Sequence, residues 1–184
     1  MSTPAATSTP NPTLVPTRGP APYDLTLASP IGPLGLRLVP GGLGEIDFLA
    51  AAPDRPLPPL SAWASSGPDA ELVAEAARQI ERYFLDPRAG FRLPLVLGGT
   101  PFQRRVWQAL QTIAPGRTLT YGELAERLGS SARAVGGACR ANPLPIVVPC
   151  HRVVARGGLG GFAGASSGRK TDIKQWLLEH ERGG

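Results

Sequence analysis

The stretch Thr120-Tyr121-Gly122-Glu123-Leu124-Ala125, then Gly129-Ser130-Ser131, then Ala132-Arg133-Ala134-Val135-Gly136-Gly137-Ala138-Cys139-Arg140-Ala141-Asn142-Pro143 decides how the second half of this chain folds. Thr120 with Glu123 three residues later forms a capping box, so a helix opens there. Leu124, Ala125 and Leu128 give that helix one apolar face, and Gly129 stops it. Ser130 or Ser131 caps a second helix over 132–141, which Asn142-Pro143 ends. Two short helices about a Gly-Ser-Ser turn predict a helix-turn-helix. Gly136 and Gly137 lie inside the second helix, where each glycine costs ~1 kcal/mol relative to alanine. Two readings explain them: close approach of another backbone, or tight packing of this helix on the core.

Working toward the C-terminus, Pro145-Ile146-Val147-Val148-Pro149-Cys150-His151-Arg152-Val153-Val154 places a thiol and an imidazole side by side in an apolar run. A buried thiol is inert, because the nucleophile is the thiolate and burial disfavours charge. A neighbouring histidine changes that by taking the proton, directly or through one water. Beyond lies the glycine-rich segment Gly157-Gly158-Leu159-Gly160-Gly161-Phe162-Ala163-Gly164, which lacks the helix start and Lys-Ser/Thr of a phosphate cradle. A final helix is expected from Thr171, burying Ile173, Trp176, Leu177 and His180.

Working toward the N-terminus, Thr100-Pro101-Phe102-Gln103 is a helix start, with Phe102, Val106, Leu110 and Ile113 on one face. Residues 69–85 show helical spacing through Leu72, Ala76, Ile80 and Phe84. Alternation at Tyr23, Leu25 and Leu27, at Leu34, Leu36 and Leu38, and at Ile46 and Phe48 predicts three short antiparallel strands. A Pro-rich connection spans 53–60. Residues 1–22 hold six prolines among Ser, Thr and Ala, a composition that predicts a disordered tail. The expected organisation is a tail over 1–22, a small N-terminal domain over 23–93 and a C-terminal domain over 94–184.

Bulk properties narrow the function. The 184 residues suit one or two small domains, and no apolar run reaches the ~18 residues of a membrane span. The start has no secretory signal pattern, and the two cysteines, Cys139 and Cys150, read as free thiols of a reducing, cytoplasmic setting. Charge is uneven. Residues 1–93 carry seven basic and nine acidic side chains, a net of −2, whereas residues 94–184 carry twelve and five, a net of +7. A basic half that also holds the Cys-His pair points to a polyanionic partner; a solvated basic face is the plainer alternative.

These motifs, together with Gly99-Thr100-Pro101-Phe102-Gln103 and Trp176-Leu177-Leu178-Glu179-His180-Glu181, closely resemble the O6-alkylguanine-DNA alkyltransferases, also called methylated-DNA–protein-cysteine methyltransferases. The resemblance covers about half the chain, with its motifs in the family's order. It implies an α+β fold: a small N-terminal α/β domain with an antiparallel sheet, ribonuclease-H-like, and a helical C-terminal winged helix-turn-helix domain carrying the reactive cysteine. It implies a monomer that needs no cofactor or metal and acts on double-stranded DNA containing O6-alkylguanine. The alkyl group would pass irreversibly to Cys150 in a single turnover; whether O4-alkylthymine is also a substrate stays open.

The resemblance also assigns roles. Cys150 is the nucleophile, in a relay running Glu181–His151–water–Cys150, and Asn142 bridges the helix-turn-helix to the active-site strand. Tyr121 contacts the base and donates a proton to it. Arg133 fills the space left by the extruded nucleotide, on a helix docked in the minor groove. Gln103, Ala134, Gly137, Arg140 and Arg156 complete the DNA surface, and Val148, Pro149, Gly161, Phe162 and Ala163 wall the pocket. Arg152 is either structural or phosphate-facing. The chain departs from the family pattern in a shorter helix-turn-helix turn, in Phe162 where some members carry Tyr, and in a longer 165–172 segment. Residues 1–138 contain no Cys or His, so the zinc site of some relatives is not expected. Competing readings are a lesion sensor of the same fold, whose members lack the cysteine; a transcriptional regulator, whose members add a metal-binding cysteine module; and a Cys-His hydrolase.

Overall fold

The structure, a computed structural model, describes residues 14–15, 23–50 and 68–183. Strands β1 (Leu14–Val15), β2 (Leu25–Leu27), β3 (Leu34–Val39) and β4 (Gly42–Phe48) form an antiparallel sheet in sequence order. Period-two alternation and the tight turn at Gly41, with φ +98°, make β3 and β4 a hairpin, with a register shift between Arg37 and Leu38. β1 was not expected: Leu14 pairs with Leu27 and Val15 with Thr26, so these two residues of the proline-rich stretch form an edge strand rather than disordered tail. The rest of that stretch and the 53–60 connection lie outside the described residues.

Helix α1 (Pro68–Leu85) lies on this sheet. Its buried stripe is Val73, Ala76, Ala77, Ile80 and Tyr83, so the expected helix is present but its face is centred elsewhere, leaving Leu72 and Phe84 half-buried at the rim. The chain then returns past the sheet, where Leu95 bridges Leu43 in parallel.

Helices α2 (Pro101–Gln111), α3 (Tyr121–Arg127) and α4 (Ala132–Arg140) follow. Both expected capping boxes form: Thr100 with Gln103, and Thr120 with Glu123. Ser131, not Ser130, caps α4 through the Ala134 amide. Gly129 takes φ +60°, the left-handed conformation that ends α3. α4 packs on both α2 and α3, and the indole of Trp107 donates to Ala138 O at 2.9 Å, fixing α2 against α4. Two short strands were not legible in the pattern: β5 (Leu119–Thr120) pairs in parallel with β6 (Val153–Val154). Helix α5 (Arg169–Gly183) begins two residues before Thr171. It buries Ile173, Lys174, Leu177, Leu178 and Glu181, while Trp176 and His180 remain half-buried.

The molecule is thus mixed α/β, a small antiparallel sheet with one helix joined to a set of helices. The two halves meet around residues 143–162 and where the end of α1 meets α5. The Ile46 amide donates to Pro143 O at 2.8 Å, and the Phe48 and Phe162 rings sit 5.6 Å apart. Among the described residues, no helix is long and apolar enough to cross a membrane.

Candidate active site

Cys150 opens a single 3-10 turn, Cys150–Arg152, rather than lying in the strand expected of it. Pro149 precedes it, and the turn is closed by the Arg152 amide donating to Pro149 O. Upstream, Ile146 takes φ +76°, a strained conformation for a β-branched residue, held where the chain bends into this turn. Asn142, just past the end of α4, ties the bend together. Its Nδ2 donates to Val148 O at 2.8 Å and to Cys150 Sγ at 3.2 Å, and its Oδ1 accepts from the Leu144 amide.

Behind the thiol lies a buried polar cluster. His151 is 0% exposed and its Nε2 lies 2.8 Å from Glu181 Oε1. Glu181, on α5 and 3% exposed, also accepts from Arg152 Nε and Nη2, from the Tyr83 hydroxyl at 2.8 Å and from the Gly116 amide at 3.1 Å. Arg152 Nη1 donates to Ile113 O. Burial alone would raise the Glu181 carboxyl, but the hydrogen bonds from His151 and Arg152 outweigh it and hold the group well below the usual carboxylate range. Burial likewise pushes His151 below its ordinary value, against the attraction of Glu181. Glu181 is therefore an anion and His151 a neutral ring. Since a carboxylate only accepts, Nε2 carries the ring proton and Nδ1 the lone pair. Among the described residues, His151 Nδ1 is the buried side-chain nitrogen or oxygen that has no protein partner.

The thiol itself is pushed up by burial, with Asn142 and Lys174 acting the other way, so at rest it is protonated. Lys174, 0% exposed on α5, donates to Val153 O at 2.6 Å and Gly161 O at 3.1 Å. Burial lowers it to about 8, opposed by the two cysteines. Tyr121 donates to Gly161 O at 3.2 Å and is raised to about 12, chiefly by burial and then by Cys139 and Cys150.

In front of the thiol is a cavity of about 590 Å³ lined by Tyr121, Arg133, Gly136, Gly137, Cys139, Arg140, Cys150 and the 161–166 segment. Gly160 (φ +69°) lets that segment fold over Tyr121, since a Cβ there would sit 3.2 Å from the ring. A Cβ built on Gly136 or Gly137 would meet no atom within 4 Å. This removes the core-packing explanation for the paired glycines: their faces are open. Arg133 is exposed and makes no hydrogen bond or ion pair with the described residues.

The expected site residues divide accordingly. Cys150 lines the cavity with Asn142 bonded to its sulfur, His151 and Glu181 pair in the buried cluster, and Tyr121, Arg133, Gly137, Arg140, Gly161, Phe162 and Ala163 also line the cavity. Val148 and Pro149 do not line it. Val148 is fully buried, and Pro149 faces a separate cleft beside Tyr83 and Arg152. Gln103 spends its Oε1 on the Thr100 amide and lies away from the cavity, as do Ala134 and the exposed Arg156. Arg152, left between two roles by the sequence, is structural here, since its guanidinium is committed to Glu181 and Ile113. Tyr83, Lys174 and Gly116 were not singled out. Lys174 did leave a signal, a charged residue on the apolar side of a helix beside Ile173 and Leu177; Tyr83 and Gly116 left none pointing to Glu181.

A cysteine in one turn with a buried imidazole–carboxylate pair, opening through a cavity onto the exposed face of α4, defines a cysteine-centred group-transfer site. Residues 101–183 match the family model for the 6-O-methylguanine DNA methyltransferase DNA-binding domain. A methylated-DNA–protein-cysteine methyltransferase of Methanosarcina acetivorans is 40% identical over 161 residues, covering 86% of this chain and 97% of that one. The protein of the same name from Mycobacterium leprae is 42% identical over 85% of this chain and 90% of its own. Among solved structures, Mycobacterium tuberculosis OGT in complex with DNA matches with a TM-score of 0.68 and 38% identity, over 86% of this chain and 91% of that one. The O6-methylguanine-DNA methyltransferase of Pyrococcus kodakaraensis matches with a TM-score of 0.60 and 26% identity, over 92% and 98%. The chain belongs to the methylated-DNA–protein-cysteine methyltransferase family.

Proposed function

We propose that this protein repairs DNA by taking the alkyl group of O6-alkylguanine onto Cys150, once per molecule. The observation that carries the reading is the buried pair His151–Glu181, with His151 next to a protonated Cys150 in one 3-10 turn and its ring nitrogen Nδ1 left as a base. The sulfur attacks the alkyl carbon, the carbon–O6 bond breaks, and its electron pair stays on guanine. The thiol proton passes to His151 Nδ1 through one bridging water, and the imidazolium is stabilised by Glu181. Tyr121, protonated at any physiological pH, donates toward the guanine as negative charge develops on it. The product is a thioether, so the acceptor is consumed.

The DNA-facing part is α3 and α4, which we read as the helix-turn-helix of a winged-helix C-terminal domain spanning 94–184. The sheet and α1 form the N-terminal domain over 23–93, read as ribonuclease-H-like. The open faces of Gly136 and Gly137 allow a nucleic-acid backbone to approach α4 closely, which suits the minor groove. Arg133 and Arg140 flank this face at the cavity mouth. Arg133 fills the gap left when the nucleotide is extruded, a step costing a few kcal/mol. The partner is double-stranded DNA, bound by a monomer. Reaction with a duplex containing O6-methylguanine, followed by peptide mapping, tests this: one methyl on the Cys150 peptide supports it, and tight lesion binding without modification supports a lesion sensor instead.

A further inference from the structure

Glu181 is held by donors from well-separated parts of the chain, and one of them comes from the N-terminal half. Tyr83 stands near the end of α1, 98 residues before Glu181, and its hydroxyl donates to Oε1 at 2.8 Å. Its ring is 1% exposed and is fixed by Phe84, Phe91 and His180, at centroid distances of 5.4, 5.6 and 5.5 Å. His180 Nε2 lies 3.0 Å from Tyr83 O, which fixes the backbone as well. Packing alone needs only a phenylalanine here, as at the neighbouring positions 84 and 91. A buried hydroxyl costs free energy unless it is bonded, and this one bonds the carboxylate behind Cys150.

A carboxylate offers about four lone-pair sites. Oε1 of Glu181 is shared by the Tyr83 hydroxyl, His151 Nε2 and Arg152 Nη2, while Oε2 takes Arg152 Nε and the Gly116 amide. Donors crowded on one oxygen divide its charge, so the hold on His151 depends on what Tyr83 takes. We infer that Tyr83 is a positioning residue, through which the N-terminal half orients Glu181 and limits the basicity of His151. This rests on the relay proposed above.

The charged and titratable groups around the pair are known. Arg152 and Lys174 oppose protonation of His151, and Glu181 favours it. The neutral Cys150 thiol precedes His151, and His180 turns to the Tyr83 carbonyl rather than to the carboxylate. Loss of the Tyr83 hydroxyl leaves more of the Glu181 charge to His151, so the imidazolium gains and the ring becomes more basic.

The test is the pH dependence of single-turnover methyl transfer by the full chain and by Tyr83→Phe. The acid limb, set by protonation of His151, should move up by on the order of half a pH unit, as expected for one hydrogen bond lost from its counter-ion. The plateau rate should fall by a few-fold, because Glu181 orients the ring less firmly. Site-specific 3-fluorotyrosine at position 83 preserves the packing and strengthens the donor, so it should move the limb down. Limbs that stay in place in both proteins, with a lowered Tm in Tyr83→Phe, would show packing only and overturn the inference. No transfer by the wild-type chain would instead overturn the proposed function, and the inference with it.

Discussion

In the buried cluster next to Cys150, each buried side-chain nitrogen and oxygen of His151, Arg152 and Glu181 is bonded within the protein, His151 Nδ1 excepted; on the cavity side, Arg133 makes no hydrogen bond or ion pair with the described residues, and a Cβ on Gly136 or Gly137 would meet no atom within 4 Å. The rear wall is over-determined, with donors from α1, the 113–116 turn and the Cys150 turn converging on one carboxylate of α5. The front wall is left unsatisfied by the fold. Groups that perform chemistry are held in place by internal bonds, whereas groups that meet a partner keep their bonding capacity for it. The two walls should therefore respond to mutation in different ways.

Cys150→Ser should have the largest effect, abolishing alkyl transfer while leaving lesion binding within a few-fold of wild type; transfer assays and gel shifts on the same duplex check both. On the rear wall, Arg152→Ala leaves the Glu181 charge buried without its main counter-ion. It should destabilise the protein by about 3–5 kcal/mol, read by urea unfolding. A loss under ~1 kcal/mol would mean that the rear wall is not an electrostatic lock.

The same wall predicts acid sensitivity. The folded values of His151 and Glu181 both lie below their ordinary values of 6.5 and 4.5, so the unfolded chain binds more protons. The stability these two groups contribute is then fully present above pH 6.5, declines as pH falls through the His151 range, and declines further below 4.5 as Glu181 is titrated. Urea midpoints measured from pH 8 to pH 4 should show this fall, and His151→Gln should remove its upper part.

The front wall should show the reverse pattern, with function changing and stability held. Arg133→Ala should slow transfer from duplex at least tenfold, slow transfer from the free base little, and change stability by under ~0.5 kcal/mol. Equal slowing on both substrates would contradict its place in extrusion. Gly137→Ala sharpens the contrast most. It should stabilise the fold by up to ~1 kcal/mol, because the helix gains a better helix former and the methyl meets no atom, yet weaken DNA binding. A variant that is more stable and binds DNA equally well would show that no backbone approaches α4 there.

What could be read from sequence divides along similar lines. Local signals were reliable: the capping boxes at Thr100 and Thr120, the stop at Gly129 and the alternation of β2 to β4 each depend on residues a few positions apart. Cys150, His151 and Asn142 lie within ten residues of one another, so their grouping was legible, and the family resemblance added Glu181. The strand pair β5–β6 was not, because two-residue strands whose partners lie 34 positions apart carry no periodicity. The rear wall was hidden for a related reason. Tyr83 reads as one more aromatic on a helix stripe, and Gly116 acts through its amide, which no side-chain pattern reports. The spacing predicts Trp176 and His180 in the core, yet the apolar face of α5 turns Lys174 and Glu181 inward, and a pattern that counts only apolar residues misses both.

The most direct test of the account is a stoichiometric titration, in which methyl groups lost from a large excess of O6-methylguanine duplex are counted per protein molecule over time. A plateau at one equivalent, with the thioether on Cys150, is the predicted result. Continued release beyond one equivalent, or a plateau with Cys150 unmodified, would contradict it.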